Sequence, residues 1–361
     1  MKKSTKILLT IFIVFFLIIA GCVTYFVVNI QPTTKNENKV TITIANGQYS
    51  KSVINMLYKN GVIRNNDVAY IYAKLFKLSD FKAGDFEVDS SWTLKELFTY
   101  LSDTNNIIDT TINFTILPGS NIRTIALNLQ DNTNLNANEI INKWNDMNYI
   151  NSLKANYPFI TDDLNNSAIV MKLEGYLYPD TYNIYKETTI EEVTTIFLDN
   201  TLKYFNEFKD LFNQSSLSIN EIFTLASIID YEASKQEDRN NVASVFYNRL
   251  EIGMPLQSSV TRCYALSLKE NRNITDWAEC ELDLDFVSPY DTYQVNGLPP
   301  GPIRCISESS LSAALKPNNT NYLYFIGDVC GDGTVYFSET YAQHNAYIRE
   351  YLTKCEWKKL Y

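Results

Sequence analysis

Apolar and polar positions along the chain first mark an uncharged run from Ile7 to Val28. It is preceded by Lys2, Lys3 and Lys6, and no charge recurs until Lys35. As a helix rising ~1.5 Å per residue the run reaches about 33 Å, enough to cross a hydrocarbon core of ~30 Å. The lysines on its N-terminal side predict a cytoplasmic N-terminus and an exported remainder. A cleaved signal is the rival reading. Ile19-Ala20-Gly21-Cys22 has the form of a bacterial lipoprotein signal, with Cys22 as the lipidated residue. The apolar run continues beyond that cut through Val23-Thr24-Tyr25-Phe26-Val27-Val28, which favours a single-pass anchor within residues 1–30. Both readings place the chain beyond residue 30 outside the cytoplasmic membrane.

Residues 31–38 are polar and read as a linker. Val40-Thr41-Ile42-Thr43-Ile44 then alternates with period two, as a half-buried strand does, until Asn46-Gly47 breaks it. Val53, Ile54, Leu57 and Tyr58 follow at helical spacing up to Gly61, and Tyr70, Ala73, Lys74 and Leu75 mark a second helix. Lys82 to Phe86 turns into a strand, and Leu94, Leu97, Phe98 and Leu101 mark a short helix. The pattern predicts a β-α-α-β-α unit over residues 39–104. A similar opening recurs, with Ile112, Phe114 and Ile116 alternating before Pro118-Gly119, and Ile122, Ile125, Ala126 and Leu129 at helical steps. Gly47 and Gly119 sit at matching places in this weak internal repeat.

Further on, Ser218-Ile219-Asn220-Glu221 has the form of a capping box and predicts a helix start. Ile222, Leu225, Ala226, Ile229 and Ala233 then make one apolar stripe, with Glu232 at its edge. A second helix is predicted from Glu237 to Leu250, acidic at its start, apolar at Val242, Val245, Phe246 and Leu250, and stopped by Gly253.

Composition narrows the chemistry. A length of 361 residues with 45% hydrophobic and 20% charged positions predicts two or three folded units with real cores. A net charge of -10 argues against nucleic-acid binding. His344 is the one histidine, so zinc sites built on several imidazoles are excluded, and any Ser-His-Asp or Cys-His site would have to use it. Carboxylates become the expected proton carriers. Cys263, Cys280, Cys305, Cys330 and Cys355 all fall in the last hundred residues, without C-x-x-C spacing. They predict structural bridges or buried thiols, with a pairing that spacing alone leaves open. The 13% aromatic content is ordinary core and surface use.

Against apolar neighbours a carboxyl group loses solvation of its charged form and keeps its proton to higher pH. That suits Glu232 to act as a general acid. Asp230 is no local partner for it. Residues two apart on a helix are rotated by ~200°, so the two side chains diverge.

Three groups of segments resemble a known family. Leu173-Glu174-Gly175-Tyr176-Leu177-Tyr178-Pro179-Asp180-Thr181-Tyr182 closely resembles the signature of the endolytic murein transglycosylases, the YceG-like family. Ala226 to Ala233 is similar to that family's glutamate-bearing helix, and the match continues through Val242 to Leu250 and Gly253 to Ser258. Ser288-Pro289-Tyr290-Asp291-Thr292-Tyr293, Gly297-Leu298-Pro299-Pro300-Gly301-Pro302-Ile303, Tyr322 to Phe325 and Tyr341 to Asn345 are similar to its later motifs. The chain departs from the pattern at Asp230, Tyr231 and Ser259, where the family has Glu, Lys and Asp, and at Val260, where it has Pro.

The resemblance implies an α+β protein with three parts. These are a transmembrane helix, a small LysM-like subdomain at 39–104 and a larger catalytic domain at 110–361, whose motif-bearing part is 168–350. It implies lytic cleavage of the MurNAc–GlcNAc β-1,4 bond of nascent glycan, with Glu232 as the catalytic acid and no metal or organic cofactor. Glu174, Tyr178, Asp180, Asn248, Gln257 and Tyr293 are the expected substrate-binding residues. The expected partners are peptidoglycan strands and cell-wall synthases, at the cell membrane during wall elongation. The departures keep two alternatives open, a catalytically silent peptidoglycan-binding scaffold and a hydrolytic muramidase.

Overall fold

The computed structural model describes residues 3–233, 235–274, 278–281, 284–328 and 332–352. They form two compact units, Met1–Thr110 and Thr111–Tyr361.

In the first unit the apolar run is one helix, α1 (Lys3–Asn29). Its segment Thr10–Asn29, of mean hydropathy 2.9 and unburied, is long and apolar enough to cross a membrane. A membrane anchor and a signal sequence share those properties. The rest of the unit is β1 (Lys39–Ile44), α2 (Ser50–Lys59), α3 (Asn66–Leu75), β2 (Gly84–Asp89) and α4 (Leu94–Leu101). The two strands pair antiparallel, with Ile42 opposite Phe86. The inward positions of the β1 alternation, Ile42 and Ile44, join Ile54, Leu57, Phe86 and Phe98 in a buried core. Asn65 caps α3, and a Thr93–Glu96 capping box opens α4. The β-α-α-β-α order is the one that the spacing predicts.

The second unit opens with β3 (Thr111–Thr115), α5 (Ile122–Asn132), α6 (Ala137–Asn145) and α7 (Met147–Leu153). It continues with β4 (Thr181–Tyr185), α8 (Ile190–Glu207), α9 (Lys209–Gln214), α10 (Ile219–Glu232), α11 (Gln236–Glu251) and α12 (Ser259–Glu270). The last elements are α13 (Ala278–Glu281), α14 (Glu308–Leu315), β5 (Tyr324–Gly327), β6 (Val335–Ser338) and α15 (Tyr341–Tyr347). Its strands make two antiparallel pairs, β3 with β4 and β5 with β6. Helices do most of the packing, around Trp144, Phe159, Tyr176, Phe197, Phe223 and Phe246, all fully buried.

Helix α10 runs through the centre of this unit. Its periodicity predicts one apolar face, yet every residue from Ile222 to Ile229 is buried. Its polar side chains make this possible by bonding within the interior. Thr224 donates to Asn220 O, and Ser227 donates to Thr224 O while accepting from Ile303 N. Helices α11, α12 and α14 pack against it, and its middle from Ile222 to Ile229 is covered on every face.

Cys263 and Cys280 form a disulfide, Cys305 is a buried thiol and Cys22 is exposed. Cys330 and Cys355 lie outside the described residues. His344 is half-buried and stacks on Tyr324 at 5.3 Å. Burial, with Arg249 nearby, holds its imidazole below the usual histidine range, which suits a neutral packing residue.

Candidate active site

The capping box expected at the start of α10 has both its arms. Ser218 N donates to Glu221 Oε2 at 2.7 Å, and Glu221 N donates to Ser218 Oγ at 3.3 Å. The helix runs from that anchor to its last residue, Glu232, which is half-buried. There the carboxyl Oε1 accepts a 2.5 Å hydrogen bond from Ser258 Oγ.

Ser258 is itself 3% exposed and locked into a network of hydroxyls. Its N–H donates to Thr292 Oγ1 at 3.0 Å, and its carbonyl accepts from Thr261 Oγ1 at 2.7 Å. Thr261 and Thr292 also share a 2.8 Å contact between their hydroxyls. Next to Ser258, Gln257 holds a left-handed backbone with φ 50 and donates its N–H to Thr292 O at 3.1 Å. A non-glycine residue in that region stores strain that the surrounding bonds must hold. The following helix α12 begins at Ser259, so this kinked entry aims Ser258 at Glu232.

Arg249, 7% exposed, is the nearby cation. It donates to Leu323 O at 2.6 Å, Leu256 O at 2.7 Å and Pro255 O at 3.3 Å. Its charge interacts with Glu232, Tyr293 and Tyr324, although burial lowers its basicity. A guanidinium stays charged even so. It therefore favours the carboxylate that Glu232 becomes on giving up a proton.

The other carboxylate of α10 turns away, as helical rotation requires. Asp230 accepts from the Ser307 hydroxyl and lies 4.0 Å from Arg239. Tyr231 is 44% exposed, and the Arg304 guanidinium lies 4.3 Å from its ring centre.

The expected binding residues divide into two sets. Gln257 and Tyr293 gather around the Ser258–Thr292 network. Both are exposed, and the Tyr293 ring has Arg262 at 4.0 Å, fixed in turn by a buried 3.4 Å ion pair to Asp291. The remaining four are held by the protein. Glu174 is 2% exposed, and its carboxyl oxygens accept from Ile122 N at 3.1 Å and from the Tyr264 hydroxyl at 3.2 Å. Burial pushes its carboxyl up to about 8, against the opposing pull of those bonds and of Arg304. Glu174 thus caps α5 and ties it to α12, out of a ligand's reach. Tyr178 stacks on Tyr204 at 3.8 Å, and its carbonyl accepts from the Tyr182 hydroxyl at 2.5 Å. Asp180 is exposed but braces the entry to β4, accepting from Thr181 N at 2.7 Å and Asn200 Nδ2 at 2.9 Å. Asn248 uses its amide hydrogens on Thr320 O at 2.8 Å and Tyr322 O at 2.9 Å.

A family model described as YceG-like matches residues 42–350. The chain belongs to the YceG-like family. It is 33% identical over 340 residues to the endolytic murein transglycosylase of Bacillus subtilis (strain 168), covering 93% of this chain and 92% of that one. It is 30% identical over 339 residues to the endolytic murein transglycosylase of Streptococcus pneumoniae serotype 2, covering 91% of this chain and 61% of that longer protein. A solved yceG-like protein from Listeria monocytogenes has a TM-score of 0.58 at 31% identity, over 86% of this chain and 99% of that one.

Against this YceG-like background, Ser258 and Arg249 are the residues that sequence reasoning did not single out. Arg249 had a signal, since a charge three residues after Phe246 and four after Val245 interrupts an apolar helical face. Ser258 closes a matched segment, but its partner is 26 residues away, so spacing did not link it to Glu232.

Proposed function

We propose that this YceG-like protein is an endolytic lytic transglycosylase of peptidoglycan. It breaks the MurNAc–GlcNAc β-1,4 bond within a glycan strand without water. Protonated Glu232 donates to the glycosidic oxygen as the C1–O bond breaks, and positive charge develops at MurNAc C1. Arg249 stabilises the carboxylate that results. That carboxylate takes the proton of the MurNAc C6 hydroxyl, and O6 closes on C1 to leave a 1,6-anhydro end. The nucleophile belongs to the sugar, so one carboxylic acid serves both proton transfers. The observation that carries this reading is the split at the end of α10. Glu232 meets Ser258, while Asp230 is turned to Ser307 and Arg239.

In this reading Gln257 and Tyr293 meet the sugar, one through its amide and one through its ring face. Glu174, Tyr178, Asp180 and Asn248 shape the walls. Residues 39–104 act as a LysM-like glycan-holding subdomain, and residues 110–361 as the catalytic domain. The helix within residues 1–30 is a single-pass anchor that leaves the catalytic domain outside the membrane, beside the synthases that supply nascent strands.

The test is digestion of purified glycan strands, with products weighed by mass spectrometry. Anhydro ends are expected from the wild type, and none from Glu232→Gln. Reducing ends one water heavier would make the protein a muramidase, and intact strands would leave it a scaffold. Near-normal activity in Glu232→Gln would sink the mechanism.

A further inference from the structure

A cavity of about 370 Å³ opens beside the end of α10, within the size range of ligand sites. Tyr231, the residue before Glu232, forms one wall, and α12 forms another. Three side chains on its rim close a ring of hydrogen bonds. Thr124 Oγ1 donates to Asn121 Oδ1, Asn121 Nδ2 to Asn273 Oδ1, and Asn273 Nδ2 to Thr124 Oγ1, each at 3.0 Å. Each amide nitrogen carries two hydrogens and uses one in the ring, so the second is available to an acceptor.

The protein carries a net -10, yet the described lining includes no acid and one cation, Arg304. Two carboxyls act on that cation from outside the lining, Asp230 and Glu174. Neither faces the cavity: Asp230 is turned to Ser307 and Arg239, and Glu174 to Ile122 N and the Tyr264 hydroxyl. Arg304 is held in place by two bonds to Gly119 O, at 2.7 and 3.0 Å, with its guanidinium 4.3 Å from the centre of the Tyr231 ring. Fixed amide donors around one guanidinium recognise carboxylates and peptide carbonyls. A glycan backbone offers no free anion. The peptide attached to its muramic acid does.

We propose that this cavity binds the acidic stem peptide carried by a muramic acid next to the scissile bond, so that the enzyme prefers peptide-bearing strands. The inference rests on the transglycosylase reading above and adds a substrate determinant to it.

The experiment compares kcat/KM for anhydro-end formation on peptide-bearing strands and on strands stripped of peptide by an amidase, using the full chain in detergent. The wild type is expected to favour peptide-bearing strands by about tenfold or more. Asn273→Asp sets a negative charge in the ring and is expected to lower that preference about tenfold. Equal wild-type activity on both strands overturns the inference while leaving the transglycosylase reading intact. So does an Asn273→Asp variant in which both activities fall together. Absence of anhydro ends from both strands would instead overturn the reading beneath it. A second measurement does not depend on the variant folding. Calorimetric titration of the wild type with a synthetic stem peptide should show binding about tenfold tighter than with the same peptide amidated at its carboxylates. Equal affinities, or no binding of either, would also overturn the inference.

Discussion

Ser258→Ala removes one hydroxyl and little else. Ser258 Oγ reaches Glu232 Oε1 at 2.5 Å, and the residue is 3% exposed, so substrate has no access to it. The bonds from Ser258 N to Thr292 and from Thr261 to Ser258 O run through its backbone and survive the change. A hydrogen bond to a charged group contributes about 1.5–3 kcal/mol. If that energy is used to hold Glu232 in its working rotamer, kcat falls about tenfold to 150-fold. KM should hardly move, because no substrate contact is lost. Stability should fall by about 1 kcal/mol, as for an ordinary buried hydrogen bond. The assay is steady-state release of anhydro-ended fragments, with thermal melting of the same preparation. Ser258→Thr keeps the hydroxyl and should recover most of the loss. A kcat within twofold of wild type in Ser258→Ala would refute the idea that this bond positions the acid. A rise in KM with unchanged kcat would refute it equally.

Two further predictions concern the walls of the site. Glu174 has a folded value of about 8 against an ordinary 4.5, so the folded chain keeps a proton that the unfolded chain releases. Its contribution is complete below the unfolded value and is lost as pH rises from there toward 8, by up to about 5 kcal/mol. Melting curves from pH 5 to 8 should therefore slope downward, and Glu174→Gln should flatten them; equal slopes in both proteins would contradict the buried-acid picture. Gly175 has φ 80, and a Cβ there would press into the ring of Pro302. Gly175→Ala should cost at least about 2 kcal/mol in urea unfolding, and an unchanged midpoint would mean that the loop has room to move.

Local chemistry was legible along the chain where neighbours in sequence are neighbours in space. The capping box at Ser218, the stripe of α10 and the divergence of Asp230 from Glu232 all follow from helical geometry. The same holds for the alternation of Ile42 and Ile44 toward a core. The expected binding residues were less legible. Motif membership drew attention to Glu174 and Asn248, and the fold gives both of them internal partners. A polar residue in a matched segment looks the same in sequence whether it faces a ligand or satisfies a buried N–H or C=O. Only the count of available partners separates the two cases, and that count is made by packing.

The sequence by itself determined helices α2 to α5, α10 and α11, strands β1 to β3, the N-terminal apolar span, the single carboxylic acid at the end of α10 and the family resemblance, because each depends on spacing within a few turns. The tertiary structure alone decided that Ser258 holds that acid, that Arg249 lies near it, that Cys263 joins Cys280, and that the middle of α10 is buried on every face. Periodicity says which face of an element is apolar but not which distant segment will cover it. That choice follows from burying all the faces at once while leaving no buried polar group without a partner.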